Sequence, residues 1–242
     1  MNVIPVIDVL SGMVVHAVKG NREEYKPLRS VLTSSINPLA VATVFKLQGF
    51  STLYLADLDA IQGKKPCYEL YRNIVQIGFN LMVDAGVTNV QTVKSLLNCG
   101  VSKVIIGTET IQNIAFLQET VQQVGTNKIV VSLDLKDDKV LLPTTFDGPT
   151  DMFELFETFR NMGVFQFILL DLIRVGSNEG PNIELLKKTL TINTVSFYVG
   201  GGVRNIDDLL RLKELNVLGV LSATALHLGK VTVTDLVSAS LL

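Results

Sequence analysis

A chain of 242 residues, 48% hydrophobic and 18% charged, can bury one large core and is short for two domains. Its net charge of −2 gives no basic footprint, which counts against nucleic acid as a partner. Two cysteines, Cys67 and Cys99, are too few for a disulfide framework or a metal cluster, and neither a signal-like N-terminus nor a membrane-length apolar run is present, so a cytoplasmic protein with no membrane partner is expected.

Short apolar runs, rich in β-branched residues, recur along the chain: VIPVID (3–8), TLYLAD (52–57), FNLMVD (79–84), KVIIG (103–107), KIVVSLD (128–134), FQFILLD (165–171), VSFYVG (195–200) and LGVLS (218–222). Amphipathic stretches with helix signals lie between them. The first, NPLAVATVFKLQG, has Asn37 as N-cap, Pro38 at the first helical position and Gly49 at the end. CYELYRNIVQIG, NVQTVKSLLNCG, NIAFLQETVQQVG, DMFELFETFRNMG, NIELLKKTL and NIDDLLRLKEL follow. Nearly continuous apolar strands alternating with helices predict a parallel sheet covered by helices. Eight of them in about 240 residues predict a closed (β/α)8 barrel, with the open doubly wound sheet as the alternative.

An internal repeat supports closure. Shifted by 116 residues, VDAGVTNVQTVKSLLNCGVSKVIIGT lies over VGGGVRNIDDLLRLKELNVLGVLSAT, with identities that include Val83/Val199, Gly86/Gly202, Asn89/Asn205, Leu96/Leu212 and Thr108/Thr224. The same doubling sets Asp8 against Asp134, and Asp57 against Asp171. The chain therefore reads as one domain, 1–242, made of two half-barrels of about 1–124 and 125–242.

In such barrels the loops after the strands build the active site. Here the strand ends carry Asp8, Asp57, Asp84, Asp134 and Asp171. A strand-ending Asp more often caps a helix or pairs with a cation than performs catalysis. Asp8 and Asp134 stand apart because the repeat makes them equivalent across the mouth, where two carboxylates can serve as acid and base if their pKa values separate. Gly200, Gly201 and Gly202, just before the helix N-cap Asn205, suit close approach of a phosphate to backbone N–H groups. His16, in the apolar run MVVHAV, and His227, after the last strand, read as structural.

With these residues in view, the chain resembles the histidine-biosynthesis barrel family, whose isomerase acts on a phosphoribosylformimino-aminoimidazole carboxamide ribotide and whose sister enzyme is a cyclase. IPVIDVLSGMVV resembles the opening of both, ADLDAI the isomerase's second strand, VIIGT its fourth, SLDLKDDKV its fifth and GGGVRN its seventh. The resemblance implies an Amadori rearrangement without metal or organic cofactor, on a phosphorylated small molecule, by a monomer or small homo-oligomer. Matched residue by residue, it makes Asp8 the base and Asp134 the acid. It makes Gly201, Gly202, Ala223 and Thr224 the cradle of one phosphate. The equivalent first-half positions Gly86, Gly107 and Thr108 would hold a second.

The departures fall on the first half and on the sixth strand. The family's first triple glycine is Asp84-Ala85-Gly86 here, and a carboxylate repels a phosphate by about 4 kcal/mol per charge pair at about 4 Å and an effective dielectric of about 20. Thr88 replaces an arginine, and His16 replaces the arginine of the opening motif. Arg174-Val175-Gly176-Ser177 replaces an Asp-Gly-Thr turn, and no tryptophan follows the fifth strand. These changes place the chain nearer the divergent isomerase-like proteins of archaea and methylotrophic bacteria, with weak or no turnover of the histidine-pathway ribotide expected. The expected function is aldose–ketose isomerisation of a phosphorylated aminosugar or ribotide. The alternatives are a cyclase or lyase on a sugar phosphate in cofactor synthesis, or a non-catalytic barrel that binds a phosphorylated ligand.

Overall fold

Eight parallel strands close on themselves in the computed structural model, which describes residues 1–191 and 195–242. They are β1 (Asn2–Leu10), β2 (Thr52–Asp57), β3 (Asn80–Asp84), β4 (Lys103–Gly107), β5 (Ile129–Lys136), β6 (Gln166–Asp171), β7 (Ser196–Gly200) and β8 (Gly219–Ser222). Each pairs in parallel with the next, and β1 pairs with β8 through Asn2↔Gly219 to Pro5↔Ser222, which closes the barrel. Two antiparallel extensions, Met13–His16 on β1 and Lys139–Val140 on β5, stand at equivalent places in the two halves.

The outer helices are α1 (Pro38–Leu47), α2 (Tyr68–Gln76), α3 (Val90–Asn98), α4 (Ile114–Val124), α5 (Met152–Asn161), α6 (Ile183–Thr189), α7 (Ile206–Glu214) and α8 (Val233–Ser238). Seven coincide with the amphipathic stretches of the sequence. The eighth begins with a capping box in which Thr232 and Asp235 bond each other's backbone, a signal too short to stand out in sequence. Asn37 caps α1 by accepting from the N–H groups of Leu39 and Ala40, with Pro38 in the first turn as expected. Among the described residues no helix is long and apolar enough to cross a membrane.

The core has two layers. Inside the barrel lie Ile4, Tyr54, Met82, Ile105, Val130, Ile168, Tyr198 and Leu221. The larger layer lies between the strands and the helices. There Phe156 of α5 meets the rings of Phe167 and Phe197 edge-on at centroid distances of 5.0 and 5.3 Å, which fixes that helix against β6 and β7.

The two-fold pattern is sharpest in the second part of each half. β3 and β7, α3 and α7, and β4 and β8 begin 116 residues apart, and Asn89 and Asn205 cap their helices with the same bond to the third N–H. A single offset does not cover the whole half. Asp8 and Asp134 are 126 residues apart and Asp57 and Asp171 are 114 apart, because the loops after β1 and β5 and after β2 and β6 differ in length.

Candidate active site

The C-terminal ends of the strands surround one pocket, and Asp8, Asp84, Asp134 and Glu109 all line it. Asp8 comes from β1 and Asp134 from β5, four strands away around the closed sheet, so they face the cavity from opposite sides. The Asp134 side chain is 4% exposed. One of its oxygens accepts from the Ser132 hydroxyl at 2.8 Å and the other from the Glu109 N–H at 3.3 Å. Gly107 leaves room for this carboxylate, since a Cβ there would sit 3.0 Å from the Asp134 oxygen.

Burial raises all three aspartates, because removing a carboxylate from water disfavours its charge. Asp8 rises to about 7 through burial and the neighbouring Asp84. Asp134 rises to about 8 through burial, Asp84 and Glu109, against the opposing Ser132 and Glu109 hydrogen bonds. Asp84 rises to about 7 through burial, held back by the Gly86 N–H, Arg22 and the Tyr54 hydroxyl while Glu109 adds to the rise. The Tyr54 phenol stands among these four acids and is pushed far above its ordinary range by burial and by their charge, so it remains a neutral donor.

The other strand-end acids are structural. Asp57 accepts from the Ala60 and Cys67 N–H groups and from the Tyr71 hydroxyl, which ties β2 to α2. Asp171 accepts from Arg174 at 3.1 Å and Asn182 at 3.2 Å. Neither lines the pocket, and from the loop after β6 Leu172, Val175, Gly176 and Asn178 do, with no carboxylate among them.

Gly201 and Gly202 line the pocket with φ of +98° and +87°, and Ala223 and Thr224 lie beside them. The N–H groups of these four residues have no acceptor among the described residues. A Cβ would meet the Asp171 carbonyl 2.6 Å from Gly201 and the Gly180 carbonyl 2.4 Å from Gly202, so close backbone packing also requires both glycines.

The first-half counterparts are placed differently. Gly86, Gly107 and Thr108 do not line the pocket. Thr108 is fully buried, its hydroxyl accepting from the Asp134 N–H and its own N–H bonding the Ser132 carbonyl. The Gly86 N–H donates to the Asp84 carboxylate at 3.1 Å.

Both histidines read as structural in the sequence line the pocket. His227 is buried, its Nδ1 lies 3.0 Å from the Ser30 hydroxyl, and burial lowers it to about 4, so it is neutral. His16 is also lowered by burial. Arg22, Tyr25 and Glu109 had no motif to mark them. They come from loops that meet over the mouth: Arg22 pairs with Glu109, and the Lys19 N–H bonds the Val175 carbonyl at 2.9 Å. Among the described residues no three His, Cys, Asp or Glu side chains converge as a metal-binding set.

Comparison with known proteins accords with this site. The chain is 37% identical over 241 residues to an uncharacterized protein of Methanocaldococcus jannaschii, covering 98% of each. It is 32% identical over 245 residues to an imidazole-carboxamide isomerase of Gloeothece citriformis, covering 99% of this chain and 93% of that one. The isomerase of the same name from Francisella philomiragia is 30% identical over 243 residues, with 97% and 98% covered. The full name of both isomerases carries two phosphoribosyl groups. Residues 2–232 match the family described as histidine biosynthesis protein, and the chain belongs to that family.

Proposed function

We propose that the chain is an aldose–ketose isomerase for a phosphorylated aminosugar or ribotide, and that Asp8 and Asp134 are its catalytic residues. The observation that carries the reading is the pair itself: the buried Asp134 and the half-buried Asp8 lining one cavity from strands on opposite sides, next to a glycine loop with unused N–H groups. The relatives named as isomerases support the reaction class.

Asp134 is the acid, its pKa raised by burial and by the neighbouring Asp84 and Glu109. It protonates the ring oxygen, the C1–O bond breaks, and the electron pair of the amine forms a C1–N double bond. Asp8, on the opposite side of the cavity, takes the proton from C2 as base. The resulting enaminol has a C1–C2 double bond, and it becomes the aminoketose when its hydroxyl proton leaves and C1 gains one. Atoms and electrons are conserved without an external oxidant. Tyr54 donates a hydrogen bond among the acids throughout, and the N–H groups of Gly201, Gly202, Ala223 and Thr224 hold the phosphate. In this reading the half-barrels 1–124 and 125–242 each contribute one carboxylate.

The test uses an N-aryl ribosylamine 5-phosphate in deuterated water. Wild type should form the aminoketose, seen by proton NMR, and Asp8→Asn should not. Unchanged conversion by Asp8→Asn contradicts the mechanism.

A further inference from the structure

We infer that the substrate carries a single phosphate, held at the second-half loops, and that the end facing the first half is uncharged or cationic. This rests on the isomerase reading above and narrows its substrate class. An isomerase for a compound with two phosphoribosyl groups needs an anion site at each end of the cavity, and the doubled barrel supplies two equivalent places for one. Only one is open.

In the second half, Gly201, Gly202, Ala223 and Thr224 line the cavity, and their N–H groups have no partners among the described residues. Of the equivalent first-half residues, Ala85, Gly86, Gly107 and Thr108, none lines the cavity, and two of their N–H groups are used by the protein. The Gly86 N–H is taken by the Asp84 carboxylate and the Thr108 N–H by the Ser132 carbonyl. An Asp oxygen thus occupies the place of an anion oxygen at the first-half loop, where the second half has Gly200 and no side chain.

Charge acts in the same direction. The first-half loops present Asp84 and Glu109 to the cavity, where their second-half equivalents are Gly200 and Ala225. Arg22 is the one Lys or Arg among the lining residues, and Glu109 engages it. A phosphate placed there would meet two carboxylates and a cation already paired. A hydroxyl, an amide or an ammonium group would instead find acceptors.

The experiment measures binding of inorganic phosphate, of the ribotide with two phosphoribosyl groups, and of its analogue lacking the first-half phosphate. Wild type should bind one phosphate per chain and should not prefer the doubly phosphorylated compound. Asp84→Gly/Ala85→Gly frees the Gly86 N–H and rebuilds a triple glycine. Charge-assisted hydrogen bonds to a second phosphate should then favour that compound by at least about tenfold. Asp84→Asn, which removes the charge and keeps the shape, should show a smaller gain and serves if the double variant does not fold. Ala223→Asp, which places a carboxylate in the cradle, should abolish phosphate binding. Two phosphates on wild type, or a tenfold preference for the doubly phosphorylated ribotide, overturns the inference and leaves the isomerase reading intact. No gain in a folded Asp84 variant overturns it as well. If folded wild type binds no phosphate, the cradle at Gly201 falls, and the inference with it.

Discussion

At the end of β7 the chain reads Gly200-Gly201-Gly202, and at the end of β3, 116 residues earlier, it reads Asp84-Ala85-Gly86. The backbones agree in part: both loops end at an Asn that caps the following helix, and Gly86 and Gly202 both have positive φ, whereas Gly201 has a φ of +98° and its counterpart Ala85 does not have a positive φ. The use of the N–H groups is opposite. One loop lines the cavity with N–H groups that have no partner, and the other turns its Gly86 N–H onto its own carboxylate. The comparison teaches that one side chain can take up a loop donor that its counterpart leaves free. A glycine with positive φ marks the turn and does not by itself mark the ligand.

The largest effect should come from the shared centre between the halves. Asp8→Asn and Asp134→Asn keep the shape of each side chain and remove proton transfer, so each should lower turnover of the aminosugar phosphate by about 10²–10⁴-fold with circular dichroism unchanged. Loss confined to KM would count against both roles.

The glycine comparison is next. Gly202→Ala meets the Gly180 carbonyl at 2.4 Å, and Gly86→Ala meets the Ile61 Cα at 2.6 Å. Both should lower stability by about 1–3 kcal/mol in thermal or urea unfolding. Stabilisation by added phosphate should weaken for Gly202→Ala and persist for Gly86→Ala, because only the first lies in the pocket. Equal loss in both would erase the distinction between the halves.

The acids also set a pH dependence. Asp8, Asp84 and Asp134 all have folded-state pKa values above the ordinary value of 3.8, so the folded protein binds more protons than the unfolded chain between about pH 4 and 8. Their contribution is therefore fully present below the unfolded value and is lost as pH rises through 7 to 8. Asp134→Asn should flatten that decline and should exceed wild type in stability at pH 9 by at least about 1 kcal/mol. A variant that follows the wild-type pH curve would show that Asp134 titrates normally.

The smallest effect is expected at the mouth. The Arg22–Glu109 pair is partly exposed, so Arg22→Ala should cost less than about 1 kcal/mol. Because Arg22 lowers the Asp84 pKa, its removal should move that titration upward, which carbon NMR of the carboxyl would detect.

The strands, seven helices and the pair Asp8/Asp134 were legible because alternating apolar runs and helix signals are local, and because the repeat brings distant carboxylates into correspondence. Tyr54 was not. TLYLAD is buried along nearly its whole length, so no polar alternation tells which side chains point into the barrel. Arg22 and Glu109 come from loops whose meeting depends on closure of the whole barrel. His16 and His227 read as core residues because their neighbours are apolar, yet the cavity runs past both. Thr108 misled in the opposite direction. Its match to Thr224 is sound in sequence, and its hydroxyl is consumed by the Asp134 backbone.

The central claim is that the facing carboxylates exchange protons near neutral pH, and carboxyl-carbon NMR of aspartate-labelled protein tests it most directly. The account predicts two resonances, absent from Asp8→Asn and Asp134→Asn respectively, that titrate with midpoints near 7 and 8. Midpoints below 5 for both would leave the site without an acid at neutral pH and would contradict it.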